Sequence, residues 1–199
     1  CMNVVALFSG RAYNIICELL GSNWYAVAAT VALGALAVCH IVYAFILTAQ
    51  NRSARGANRY EVTAKPEKVE WASQNMLVLG IIVLLGLALH LFNFWYNMMF
   101  AELVGMRTVL EPTDGFGLIC ATFQTKVYVI LYVIWIVALW YHLSHGFWSA
   151  MQTIGINGKV WFNRWKVIGT IYVTLLMLAF LVVVLAFAFG CAPSLHCAA

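Results

Sequence analysis

Apolar side chains fill four long stretches of this chain, roughly 24–49, 73–99, 126–151 and 167–190, and polar or charged residues gather between them. A hydrocarbon layer of about 30 Å is crossed by about 20 helical residues at a rise of 1.5 Å each, so every stretch is long enough to span it. None has the period-two alternation of a barrel strand. The pattern predicts four transmembrane helices with polar connectors at 50–72, 100–125 and 152–166. The opening segment CMNVVALFSG starts on Cys1 and reads as the last turns of an apolar helix, residues 1–10, meeting a Ser-Gly stop. It predicts a fifth, earlier span of which this chain carries only the end. The fold class is an all-α transmembrane helix bundle, with 1–199 as a single membrane domain.

Composition narrows the class further. Of 199 residues, 64% are hydrophobic and 9% charged, against roughly 45–50% and 25% in soluble domains, which excludes a soluble fold. The 11 basic residues are scattered among short loops without forming a stripe, so nucleic acid is not an expected partner. Their placement sets the orientation. Arg52, Arg55, Arg59, Lys65, Lys68, Lys159, Arg164 and Lys166 lie on one side, and Arg11, Arg107 and Lys126 on the other. The positive-inside rule makes 50–72 and 152–166 cytoplasmic loops and puts 10–23, 100–125 and the C-terminal tail outside. Trp24, Tyr25, Trp95, Tyr96, Tyr128, Trp161 and Trp165 cluster at span ends, as interfacial anchors do. Cys1, Cys17, Cys120, Cys191 and Cys197 fall on or near the outer face, where disulfides can form, but spacing alone gives no pairing.

Ionisable groups at membrane depth are costly and mark function, and His40, His90, His142 and His145 all fall within spans. His40 and His142 each lie about 9 or 10 residues, ~14–15 Å, from the cytoplasmic ends of their helices, so they are level. His90 is about 17 residues, ~25 Å, from its cytoplasmic end, in the outer half and without a visible partner. Level histidines on facing helices suit bis-imidazole ligation of haem in a bundle. Small neighbours that let a flat macrocycle approach stand one turn away: Ala44 after His40, Gly86 before His90, and Ala138 and Gly146 around His142. A histidine-lined ion or proton pathway and purely structural interhelical hydrogen bonds are the alternatives.

The segment HLSHGFWSAMQTIG, from His142 to Gly155, resembles the H-x-x-x-G helix of succinate dehydrogenase cytochrome b subunits, whose first histidine binds haem. EWASQNMLVLGIIVLLGLALHLFNFWYNMMFAELVG is similar to the third helix of the single-subunit, two-haem members of the succinate:quinone oxidoreductase family, especially Bacteroidetes-type fumarate reductases. CMNVVALFSG, GSNWYAVAATVALGALAVCHIVYAF, NRSARG and KVWFNRWK resemble the same subfamily, so the likeness covers nearly the whole chain.

The resemblance implies a five-helix haem-binding membrane anchor in a bacterial inner (cytoplasmic) membrane, with the first helix mostly missing from this chain. It implies two b-type haems. His40 and His142 would ligate the inner haem, while His90 and a histidine upstream of Cys1 would ligate the outer one. His145 lies about 60° around the helix from His142, and so could touch the same haem edge, replace His142, or bond a propionate or a backbone carbonyl. Gly146, Ala44, Gly86, Arg52 and Trp148 complete the expected haem environment, with Gln50, Asn51, Arg164 and Lys166 as further propionate partners. Menaquinone would exchange electrons through a pocket near the outer interface, for which Glu18, Asn23, Asn93 and Trp95 are the candidates. The implied partners are an iron-sulfur subunit and a flavoprotein subunit on the cytoplasmic side, with a dimer of the complex among the arrangements open to it. No nucleotide fingerprint or cysteine-cluster spacing occurs here, so the succinate/fumarate chemistry is not expected on this chain. A two-haem anchor of another quinone-linked respiratory complex and a non-redox polytopic membrane protein are the competing readings.

Overall fold

The computed structural model describes residues 2–55 and 70–190. After a 3-10 turn over Met2–Leu7, the Ser9 hydroxyl accepts the Ala12 N–H at 3.2 Å and starts a helix, α1, Gly10–Ser22. Ser-Gly was expected to stop a helix. A serine with extended backbone is equally a strong N-cap, and here that role wins. The segment 10–23, read as a connector, is therefore helical and buries Tyr13 and Cys17 one turn apart. Asn23 separates it from α2, Trp24–Arg55, and its side-chain oxygen accepts the Tyr25 N–H at 2.9 Å.

Helix α2 outlasts the expected span 24–49 because QNRSAR contains no glycine or proline to end it. At 32 residues it is about 48 Å long. The next span is one composite rod: α3, Trp71–Gln74, then α4, Met76–His90, a π-helix over Leu91–Phe100, and α5, Ala101–Val104. The π segment begins directly after His90. Asn97 Nδ2 donates to the carbonyls of Phe92 (2.9 Å) and Asn93 (3.2 Å), partnering acceptors that the wider winding leaves underused. Gly105, at φ +64°, ends the rod in the left-handed conformation that glycine adopts without strain. A short helix, α6, Gly115–Phe123, is capped by Asp114 and leads into α7, Lys126–Ile154, and then α8, Trp161–Phe189. The last two helices begin or end several residues inside the loop expected at 152–166.

Helices α7 and α8 form the central hairpin. They approach closely at Gly169, where a Cβ would overlap the Phe147 ring. Tyr132 and Ile136 of α7 share a core with Val173, Met177, Val183, Val184 and Phe187 of α8, closed at one end by Ile119, Cys120 and Phe123 of α6. Asn14 ties α1 to this end: its Nδ2 donates to Asp114 Oδ1 (2.7 Å) and its Oδ1 accepts the Phe116 N–H (2.8 Å). Helix α4 packs along α7, whereas α2 has α1 as its main neighbour and buries none of its most apolar stretch. Cys120 is disulfide-bonded and Cys17 and Cys39 are free thiols. Cys1, Cys191 and Cys197 lie outside the described residues, as do Arg59, Lys65 and Lys68. The described chain is all-helical, with four helices, Trp24–Ala54, Met76–Val104, Lys126–Ile154 and Trp161–Phe189, long and apolar enough to cross a membrane.

Candidate functional site

His40 of α2 and His142 of α7 each stand about 16 residues, ~24 Å, from the first residue of their helix. Their ring centroids are 6.2 Å apart and their planes cross at 82°. Two imidazoles sharing one metal ion, with metal–nitrogen bonds of about 2 Å and about 1 Å from each nitrogen to its ring centre, have centroids about 6 Å apart. The observed separation is of that size. His142 Nδ1 is buried and has no hydrogen-bond partner, while His40 stands exposed. Around His142 the surface is low. A Cβ on Gly80 would only just touch its ring, at 3.6 Å, and a Cβ on Gly146 would meet nothing within 4 Å. Helix α2 makes few contacts with α4 and α7, and His40 faces an exposed flank.

His90 occupies a second environment. It lines a cavity of about 340 Å³ with Phe94, Tyr132 and Trp135, whose ring centroids lie 5.1, 6.2 and 5.4 Å from its own. Tyr132 and Trp135 precede His142 by roughly two to three turns of α7, which sets His90 about 10–15 Å along the axis from the first pair. Tyr132 is in turn held by Asn93, whose Nδ2 donates to its hydroxyl at 3.3 Å. Gly86 was expected to leave a flat face beside His90. Instead the Trp135 indole fills that face: a Cβ on Gly86 would overlap the ring, and Trp135 Nε1 donates to the Val83 carbonyl at 3.0 Å. Among the described residues no second histidine lines this cavity, though Asn3 of the N-terminal turn does.

His145 and Trp148 belong to a different cluster from the one expected. His145 Nδ1–H donates to Glu70 Oε2 at 3.3 Å, and Lys166 Nζ donates to Glu70 Oε1 at 2.7 Å. The ammonium also lies over the Trp148 and Phe162 rings, 4.4 and 4.8 Å from their centroids. The Lys166 hydrogen bond, assisted by His145 and opposed by partial burial, holds the Glu70 carboxyl below the usual carboxylate range. His145 and Lys166, both read as haem neighbours, thus meet on a carboxylate, and Trp148, read likewise, packs against the two of them. Glu70 went unrecognised in the sequence because it is a lone acid at a loop end, with partners 75 and 96 residues away. Ala44 is half-buried on α2, where its carbonyl accepts the Thr48 hydroxyl, and Arg52 lies exposed near the helix end.

The four residues expected to bind quinone are spread along the end of the bundle that carries α1 and α6. Glu18 is exposed on α1, Asn23 caps α2, Asn93 is buried against Tyr132, and Trp95 packs on Phe100 at 5.4 Å with its indole N–H buried and unpartnered. None of them lines the cavity beside His90.

No family model, curated protein or solved structure matches this chain. The geometry of its own residues therefore carries the functional reading. Among the described residues no three His, Cys, Asp or Glu side chains converge on a metal-sized point. A macrocycle brings most of its metal's donors itself, so such a group needs fewer protein ligands than an ion bound by the protein alone.

Proposed function

We propose that this chain is the membrane-anchor cytochrome b of a succinate:quinone oxidoreductase complex. It would carry electrons between menaquinone and an iron-sulfur subunit bound at the side of the basic loops, with a flavoprotein subunit beyond it. The observation that carries the reading is the 6.2 Å separation of the His40 and His142 rings on two membrane-length helices. Haem, when bound, supplies one-electron transfer through its iron. The chain's own residues do the rest. His40 and His142 would hold one haem, and Gly80 and Gly146, which carry no side chain, leave room beside His142. His90 would be a ligand of a second haem, and the Asn93–Tyr132 pair fixes the aromatic residues around it.

A haem-to-protein ratio and a dithionite-reduced minus oxidised spectrum, measured on the detergent-solubilised complex, test the proposal. Two b-type haems that reduce with succinate or a menaquinol analogue support it. A colourless complex overturns it and returns the buried histidines to an ion pathway or to helix packing.

A further inference from the structure

Helix α1, Gly10–Ser22, has 13 residues and so is about 20 Å long, short of the roughly 30 Å of a hydrocarbon layer. It cannot cross a membrane, yet it carries apolar side chains on two opposite faces. Tyr13 and Cys17 are buried against the bundle, and Tyr13 lines the cavity beside His90. At about 100° per residue, Ile15 projects about 160° around the axis from both of them. Ile15 is 57% exposed and Leu19, one turn on, is 62% exposed. Phe8, just before the Ser9 cap, is 77% exposed.

Polar residues divide the exposed half of α1 lengthwise. Arg11, Asn14 and Glu18 lie on one side of Ile15, about 40°, 100° and 60° away, while Leu19 and the half-buried Ile16 lie about 40° and 100° away on the other. The polar side is tied to the 105–114 loop by the hydrogen bond from Asn14 to Asp114 at 2.7 Å, and that loop exposes Arg107 and Glu111. Exposed charges of a connecting loop lie in water, so the polar side of α1 points to water and the apolar side toward the membrane. The apolar side is also continuous with a membrane helix. Asn23 alone separates α1 from α2, at whose start Trp24 and Tyr25, both 67% exposed, stack at 3.8 Å. Tryptophan and tyrosine at the end of a span mark the head-group level. A short helix at that level, with one apolar and one charged flank, has the form of an interfacial amphipathic helix.

We propose that α1 lies in the plane of the membrane interface, with Ile15 and Leu19 seated in a phospholipid layer and Arg11 and Glu18 turned to water. Through Tyr13 its inward face closes the cavity beside His90, so the lipid layer supports one wall of that cavity from outside. Nothing in this placement depends on a haem or on a redox role.

The test is site-specific photocrosslinking of the full-length protein in its native membrane, with the phospholipids labelled by radioactive phosphate. The photoreactive residue p-benzoylphenylalanine replaces Ile15, Leu19 or Glu18, one position at a time; all three are exposed, so the packed face of α1 is left intact. Adducts that carry the label and lose it to phospholipase C, at least about fivefold more abundant from Ile15 and Leu19 than from Glu18, support the placement. Adducts from Ile15 and Leu19 to another subunit, or to a second copy of this chain, overturn it by showing protein on this face. Equal lipid yield from all three positions, or no labelled adduct from any of them, overturns it as well, because α1 would then be ringed by lipid or stand in water. If the Ile15 substitution fails to assemble, Leu19 against Glu18 carries the comparison.

Discussion

The imidazoles of His40 and His142 come together from helices that otherwise barely meet, with ring centroids 6.2 Å apart. Two helices that make few contacts elsewhere bring one histidine each to a common level. If the pair ligates a haem, the two residues are interchangeable in what their loss does. His40→Ala and His142→Ala should each remove the same b-type haem from the purified complex, halving a two-haem content, whereas His90→Ala should remove the other. Pyridine haemochrome quantification with redox titration reads this directly, and unchanged haem in all three variants would sink the assignment.

Gly86 provides a test that needs no cofactor. Its missing side chain is where the Trp135 indole lies, and that indole is pinned by its bond to the Val83 carbonyl. Gly86→Ala should cost about 1–3 kcal/mol through overpacking and lower the melting temperature seen by tryptophan fluorescence. A neutral effect would mean that the ring can move away freely.

Asn14 joins α1 to α6 through two hydrogen bonds, to Asp114 and from Phe116. Asn14→Ala leaves both partners short and should destabilise this end by about 1–3 kcal/mol. Hydrogen exchange over 10–22 should rise with little change in α7 and α8. Uniformly unchanged exchange would show that apolar contacts alone hold α1 in place.

The Glu70 carboxyl is held below its unfolded-state range by Lys166 and His145. A lowered carboxylate pKa adds stability that is present above the unfolded value, about 4.3, and is lost as pH falls through the folded value. The attachment of α3 to α7 and α8 should therefore loosen as the pH falls below the usual carboxylate range. Glu70→Gln should flatten that part of the pH dependence and lower stability slightly at neutral pH, the effect being small for a half-exposed group. Thermal melts across pH on both proteins check the sign, and a variant that melts with the unaltered acid dependence would exclude Glu70 as its source.

Much of this architecture was legible before any tertiary information. Hydrophobic length is a local property, so Leu77–Ala88 or Leu175–Leu185 announces a membrane helix whatever surrounds it. Depth is nearly local too: counting residues from helix ends was enough to level His40 with His142 and to offset His90. Helix ends were less legible. Ser9 carries the same side chain whether it closes one helix or caps the next, and polar residues such as Gln50 to Ser53 extend a helix beyond the bilayer without any change of pattern.

What the sequence determined by itself was the all-helical class, the order of the four long apolar helices and the levels of their histidines, because these follow from hydrophobicity and a fixed rise per residue. Only the tertiary structure decided which faces meet. Helix rotation and lateral packing bring Trp135 onto Gly86, Asn93 to Tyr132, and Glu70 to both His145 and Lys166. Those pairings arise from contacts between segments far apart in the chain, where no spacing rule acts.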